Sequence, residues 1–405
     1  MFESLSAAPP DPILGLGEAF QKDPRTGKIN LTIGVYQDDS GRTCILDTVK
    51  KAEARLLASE TTKGYLGIDG LKDFTRLVTE LSLGDLCPAD RVASVQTPGG
   101  TGALRVAADF LAVQSPAMRV WFSNPTWPNH LGIFQQAGLE SKIYPYLSSD
   151  KTSLDMQGLL DTLERDARPG DGIVLHACCH NPTGIDPTVQ QWQEIAELTA
   201  QRGMLPILDF AYQGFGDGPD QDQVGLRQIA ARHGEYFVCS SYSKNFGLYS
   251  ERVGALLGVC VARDHAEKLL SQLKLAVRVN YSNPPRHGAS VVATILSDTA
   301  LRQEWQAEVD GMRNRIHSMR QRFVDGMRSA GCETDFSFLL NQKGMFSYSG
   351  LTPMQVDWLR SQKAIYLVGT GRMNVAGLTS GNLATLCTAV AEAIAQTQVS
   401  STAKG

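Results

Sequence analysis

Gly172-Ile173-Val174-Leu175-His176-Ala177-Cys178-Cys179 is an apolar run without polar alternation, and Leu205-Pro206-Ile207-Leu208-Asp209-Phe210 repeats the texture some thirty residues later. Both read as strands buried on two faces. Between them, residues 186–202 carry Val189, Trp192, Ile195, Ala196 and Leu198 on one helical face. Asp186 suits the N-cap of that helix, Pro187 its first position and Gly203 its stop. A strand, a helix and a second strand of this kind form the unit of a mostly parallel sheet covered on both sides. Working outward, residues 119–123, 236–241 and 253–261 repeat the strand pattern. Residues 44–310 are therefore read as a large α/β domain.

The texture changes after 300. Trp305, Val309, Met312, Ile316, Met319 and Phe323 follow a 4,3,4,3,4 spacing, which predicts one long amphipathic helix over 301–328. Beyond Gly331 the candidate strands are short (335–340, 345–348, 365–368), so 311–405 reads as a smaller α+β domain, with the long helix as a bridge. Residues 1–43 hold Pro9, Pro10, Pro12 and one short strand at 29–35, too little for a core of their own. They are assigned to an N-terminal arm and part of the small domain.

Composition excludes several classes. The 405 residues are 42% hydrophobic and 20% charged, which suits a globular chain and not a disordered one. With 38 Lys+Arg against 42 Asp+Glu, no basic excess points to nucleic acid or an acidic membrane. The longest apolar stretch, 253–262, is about half of the ~20 residues that span a bilayer. The start, Met1-Phe2-Glu3-Ser4, lacks a signal-peptide pattern. The eight cysteines include no Cys-x-x-Cys pair and several sit in apolar runs, as free thiols of a cytoplasmic protein do. His176 and His180 are spaced i,i+4, but on a strand that spacing does not grip a metal, and no structural metal is expected.

Ligands of open α/β sheets bind beyond the carboxyl ends of the strands. After a strand at 92–96 comes Thr97-Pro98-Gly99-Gly100-Thr101-Gly102 and then a helix at 103–111, a turn that serves either as a phosphate cradle or only as a tight turn. No Gly-Lys-Ser/Thr of a P-loop follows. Other strand ends deliver Trp127, Asn181, Asp209, Tyr212, Ser241, Lys244 and Arg252. Each alone reads as a core aromatic or a solvated loop residue. Their convergence on one sheet edge points to a site.

Ser241-Tyr242-Ser243-Lys244-Asn245-Phe246-Gly247-Leu248-Tyr249, Asn181-Pro182-Thr183-Gly184 and Arg278-Val279-Asn280-Tyr281-Ser282-Asn283-Pro284-Pro285 resemble blocks of the class I aminotransferases, in the aspartate/aromatic group of fold type I pyridoxal-phosphate enzymes. The resemblance runs from about Asp11-Pro12-Ile13-Leu14-Gly15-Leu16 to Gly371-Arg372-Met373-Asn374-Val375-Ala376-Gly377. It implies pyridoxal 5′-phosphate held as a Schiff base on Lys244, which also moves the α-proton. It implies Asp209 paired with the pyridine nitrogen, and Tyr212 and Asn181 as donors to the ring oxygen. Trp127 is similar to the family's stacking aromatic, with His130 and His176 behind it. Gly100, Thr101, Ser241 and Arg252 match the phosphate cup, to which Tyr65 is added from a second subunit.

For substrate, the resemblance assigns the α-carboxylate to Arg372, a bidentate task suited to a guanidinium. It sets Gly34 and Phe346 nearby and assigns the distal carboxylate to Arg278 of a partner. It therefore implies a homodimer with shared sites, acting on amino acids and 2-oxo acids by a ping-pong route. Val35, Thr43, Thr101 and Asn283 suit aspartate and 2-oxoglutarate, whereas Gly64 and Gln37 depart from the family's usual residues and keep an aromatic amino acid aminotransferase as the alternative. Asn124-Pro125 and Asn181-Pro182 lie at strand ends, and at least one is expected to be cis.

Overall fold

The structure is a computed structural model that describes residues 2–7 and 14–402; Pro9, Pro10 and the Asp11-Pro12-Ile13 start of the matched region lie outside the described residues. The chain divides into two compact units. The larger comprises Cys44–Asn314 and Gln342–Gly344, and the smaller comprises residues up to Thr43, Arg315–Asn341 and Met345 onward. In chain order the strands are β1 (Ile29–Asn30), β2 (Val92–Pro98), β3 (Arg119–Asn124), β4 (Glu140–Pro145), β5 (Gly172–His176), β6 (Leu205–Phe210), β7 (Tyr236–Ser241), β8 (Val253–Val259), β9 (Phe346–Tyr348), β10 (Ile365–Tyr366) and β11 (Arg372–Asn374).

The large unit is built on a seven-stranded sheet of order β2-β8-β7-β6-β5-β3-β4. β3 to β7 run parallel, and β8 alone is antiparallel to its neighbours β7 and β2. Every residue of β5, β7 and β8 is buried, which accounts for their unbroken apolar texture. The helices Gly99–Gln114 and Arg263–Asn280 supply Ala103, Leu104, Ala107, Leu111, Leu273 and Val277 to the core cluster that also takes Val95, Val120, Ile207 and Leu256 from the sheet. Strand register aligns the chemistry: His176 of β5 stands opposite Asp209 of β6, which in turn stands opposite Cys239 of β7.

Several boundaries differ from the sequence reading, each for a local reason. The helix expected over 186–202 is Val189–Gln201, because Thr188 and Gln191 form a reciprocal capping box. Asp186 does not cap it. Its carboxylate instead accepts the amides of Cys179 (2.7 Å) and His180 (2.8 Å), and this ends the strand at His176 rather than at 179. The expected helix at 103–111 begins already at Gly99, so the glycine-rich turn is its first turn. Residues 335–340 are not a strand. The Asp335 carboxylate takes the Ser337 amide and hydroxyl and winds a 3₁₀ turn over Ser337–Asn341. The strand at 29–35 shortens to Ile29–Asn30, since the Asn30 side chain captures Thr32 N at 3.0 Å.

The long helix is Thr299–Ser329, and its periodic residues Trp305, Val309, Met312, Ile316, Met319 and Phe323 are all buried. It runs through the division between the units at 314/315. Within the large unit, Trp305 stacks on Phe246 at 4.5 Å and donates from Nε1 to Asn245 O at 2.8 Å, which anchors the segment carrying Lys244. The smaller unit holds two two-stranded sheets, β1 with β10 (parallel) and β9 with β11 (antiparallel). Asn124-Pro125 and Asn181-Pro182 are both cis. Among the described residues no helix is long and apolar enough to cross a membrane.

Candidate active site

In the large unit most of the residues named from sequence lie at or beyond the ends of β2, β3, β5, β6 and β7, with Arg252 just before β8. Asp209, on the last turn of pleat before β6 ends, is buried, and His130 donates from Nε2 to its Oδ2 at 3.0 Å. The second ring nitrogen of His130 lies 2.9 Å from Thr126 Oγ1. With Nε2–H given to the carboxylate, the Thr126 hydroxyl donates to Nδ1, so the network assigns the tautomer. Burial opposes ionisation of Asp209, but the His130 hydrogen bond, with a smaller contribution from the charge of Lys244, outweighs it and holds the carboxyl below its ordinary pKa. A buried, ionised carboxylate at a strand end is the group needed to pair with a protonated ring nitrogen. His176 packs on His130 at 5.0 Å between ring centroids, and burial pushes it down to about 3, so it is neutral.

Lys244 is half-buried with Nζ 4.7 Å from the Tyr212 ring centroid. Burial drives its pKa down to about 8, against the attraction of Asp209 and with help from Arg252. A partly deprotonated amine is what capture of an aldehyde requires. Asn181 Nδ2 donates to Tyr212 Oη at 3.4 Å, so both side chains proposed to hold a ring oxygen face one point. Trp127 meets His130 edge-on at 5.3 Å and precedes the helix Pro128–Gln136.

The glycine-rich turn forms a cradle. Gly99 has φ +75° and opens the helix Gly99–Gln114, whose free N–H groups favour an anion. A Cβ on Gly99 would lie 2.4 Å from Arg252 Nη2, and one on Gly100 would lie 3.0 Å from Ser241 Cβ. Arg252 Nη1 donates to Ser243 Oγ at 3.3 Å, and Ser241 Oγ to Ser243 Oγ at 3.2 Å. Helix amides, two serines and a guanidinium around a space that side chains would fill make a phosphate-shaped donor set. Pyridoxal phosphate therefore fits the residues present, with Asp209, Asn181, Tyr212 and Lys244 set for its ring and Gly99, Gly100, Thr101, Ser241, Ser243 and Arg252 for its phosphate. Gly99 and Ser243 were not singled out from sequence, although both lie inside the quoted blocks.

Tyr65 and Arg278 stand at the surface of the large unit. Tyr65 is 94% exposed, and Arg278 donates from Nη1 to the Ser282 hydroxyl one turn away. In the smaller unit, Gly34, Phe346 and Arg372 come together. β11 pairs with β9 so that Arg372 faces Tyr348, and its guanidinium sits 4.3 Å from the Phe346 ring centroid while Nη2 donates to Thr32 O at 2.6 Å. A Cβ on Gly34 would lie 2.7 Å from Phe346 Cζ. Asn374 Nδ2 donates to Ile33 O and Val35 O, both at 2.8 Å, and fixes the backbone on either side of Gly34. Asn374 was likewise not singled out from sequence as a site residue.

The family model for aminotransferase class I and II matches residues 26–390. An aspartate aminotransferase of Salmonella typhi is 55% identical over 96% of this chain and 99% of its own. An aromatic-amino-acid aminotransferase of Pseudomonas aeruginosa is 48% identical over 97% and 99%. The crystal structure of an aromatic-amino-acid aminotransferase from Burkholderia pseudomallei, covalently bound to pyridoxal phosphate, superposes with a TM-score of 0.94 at 45% identity, over 97% of this chain and 99% of that one. A strand-end lysine beside a buried Asp–His pair and an anion cradle, carried on a chain that matches along nearly its whole length, places this protein in the class I and II aminotransferase family.

Proposed function

We infer that the protein is a pyridoxal-phosphate-dependent transaminase of the aspartate type, moving an amino group between aspartate and 2-oxoglutarate by a ping-pong route. The observation that carries this is Lys244: half-buried, lowered in pKa, and set between Asp209 and the Gly99–Arg252 cradle. When bound, the cofactor supplies an aldehyde that accepts the amino group and a protonated aromatic ring that stabilises negative charge at the substrate α-carbon. Lys244 would hold the cofactor through Nζ by condensation with its aldehyde, with loss of water, and, displaced by the substrate amine, its Nζ would take the α-proton. Asp209, kept ionised by His130, holds the ring nitrogen protonated. Asn181 and Tyr212 would hold the ring oxygen, and Trp127 would supply an aromatic surface for the ring. Arg372 would hold the substrate α-carboxylate in a bidentate grip.

The preference for aspartate rests on relatives of that name at 51–55% identity over nearly the whole chain. A second reading, acceptance of aromatic amino acids, is favoured by the P. aeruginosa relative. The exposure of the large apolar side chains Leu57, Tyr65, Leu275 and Val279 (61–94% exposed) supports a homodimer, in which Tyr65 and Arg278 would serve the partner's site. Eight free cysteines suit a cytoplasmic location. Borohydride reduction of the holoenzyme should leave a phosphopyridoxyl group on the peptide containing Lys244, and kcat/KM should be higher for aspartate than for phenylalanine. An unlabelled Lys244 peptide refutes the enzyme, and the reverse substrate order refutes only the aspartate assignment.

A further inference from the structure

Cys178 and Cys179 take no part in the chemistry above, yet their placement is unusual. Adjacent residues on a strand point to opposite faces. Here β5 has ended, Cys179 takes a left-handed φ of +53°, and both sulfurs turn toward one carboxylate. The two Sγ atoms and a carboxylate oxygen of Asp222 lie within 4.8 Å of one another, and all three residues are buried. Asp222 is held rigidly. Its Oδ2 accepts the amides of Gly214 (2.8 Å) and Gly216 (3.0 Å), while Oδ1 accepts only that of Asp217 (2.8 Å) and keeps a lone pair. A cavity of about 300 Å³, lined by Cys178, Asp186, Trp192, Gln221, Asp222 and Lys343, opens onto this cluster.

We propose that Cys178, Cys179 and Asp222 form a binding site for one thiophilic d¹⁰ divalent cation, Zn²⁺ or Cd²⁺, with a fourth position open to a cavity water. Tetrahedral Zn²⁺ with sulfur at ~2.3 Å and oxygen at ~2.1 Å needs ligand atoms roughly 3.5–3.8 Å apart, so rotation of the two Cys side chains closes the set. Two thiolates with one carboxylate select these ions over Mg²⁺ or Ca²⁺, which demand all-oxygen shells. The ion forms two metal–sulfur bonds, both S–H bonds break, and two protons leave to solvent; nothing is oxidised or reduced. Lys343 at the rim is engaged by Asp217, so its charge does not face the cluster unpaired. Asn181 follows two residues after Cys179, and the Cys179 and His180 amides are both tied to Asp186. An ion that pulls the two thiols together shifts this segment, so occupancy lowers transaminase activity.

The test is a titration of reduced holoenzyme with Cd²⁺, following the ultraviolet sulfur-to-cadmium charge-transfer band. One tight equivalent per chain with release of two protons is expected, displaced by Zn²⁺ and untouched by Mg²⁺. Cys178→Ser and Cys179→Ser, each smaller and tolerated in volume, should weaken that equivalent by on the order of a hundredfold or more. Cys87→Ser and Cys332→Ser, which remove half-buried thiols elsewhere, should leave it intact. Inhibition by Zn²⁺ that a chelator reverses should disappear in the first two variants only. X-ray absorption at the zinc edge of the unsubstituted protein needs no variant to fold, and two sulfur scatterers at ~2.3 Å are expected. Equal tight binding in Cys178→Ser and Cys179→Ser, or a zinc shell without sulfur, overturns the proposal.

Discussion

An apoenzyme carrying Lys244→Met should be more stable than the unsubstituted apoenzyme at neutral pH, and the advantage should fade as the solution becomes alkaline. Burial lowers Lys244 from 10.5 to about 8. At about 1.4 kcal/mol per pKa unit this corresponds to roughly 3 kcal/mol of penalty on the folded state while the amine is charged. The side chain is half-buried, so solvent screening reduces the figure to the order of 1–3 kcal/mol. The penalty is complete below about pH 8, where folded and unfolded chains both carry the proton. Between 8 and 10.5 the folded chain sheds it while the unfolded chain keeps it, stability rises with pH, and above 10.5 the penalty is gone. Methionine keeps the unbranched shape of the side chain, one heavy atom shorter, and has no charge to desolvate. Denaturation midpoints of the two apoproteins, measured in parallel from pH 6.5 to 10.5, give the difference directly, because all other titrating groups are shared. A difference that stays constant with pH, or a less stable methionine variant at pH 7, refutes the desolvation argument for Lys244.

Arg372→Lys exchanges a planar fork for a point charge, and loss of one charge-assisted hydrogen bond of about 1.5–3 kcal/mol should lower kcat/KM for aspartate roughly 10- to 150-fold in steady-state assays. Gly99→Ala puts a methyl 2.4 Å from Arg252 Nη2 at a residue with φ +75°, so pyridoxal phosphate rebinding to the apoenzyme should weaken about tenfold or more; unchanged affinity would mean that Arg252 does not serve the phosphate. Inactive Arg278→Asp and Lys244→Ala chains, unfolded and refolded together, should recover part of the activity if sites are shared across a dimer, and no recovery argues that Arg278 acts within its own chain.

What was legible from sequence follows the physics of each signal. Strands buried on both faces announce themselves, so β6 and β7 begin and end where their apolar runs do. β4 gave no signal: as the edge strand beside β3, its Glu140-Ser141-Lys142-Ile143 is largely in contact with solvent, and nothing forces it to be apolar. A helix start is hidden in the sequence where a side chain has a competing partner, as Asp186 serves Cys179 and His180 instead of the helix after it. The site residues on strand ends were found because sheet topology delivers them together. Ser243 and Asn374 were passed over because their importance lies in what they hold in place, Arg252 and the 33–35 backbone, and a sequence does not display such pairings. The Cys178–Cys179–Asp222 cluster escaped for the same reason: the third group lies 43 residues away from its nearer thiol along the chain, and only the turn after β5 brings the sulfurs to one side.

The chain of buried rings behind Asp209 shows how these levels depend on one another. His180 is fixed at both nitrogens, by Ser123 Oγ at 2.9 Å and Thr183 Oγ1 at 2.8 Å, and stacks on Tyr146 at 3.8 Å. It packs on His176 at 4.3 Å, which packs on His130 at 5.0 Å. Burial drives His176 down to about 3 and His180 well below its ordinary pKa, so both are neutral near neutral pH. They therefore cannot stabilise Asp209 electrostatically over the working range. Their contribution is steric: they hold the His130 ring in the plane from which Nε2 reaches Oδ2. The electrostatic work falls to His130, on the helix that follows β3, and to Lys244, just beyond β7, while the parallel register of β5, β6 and β7 sets Asp209 between His176 and Cys239.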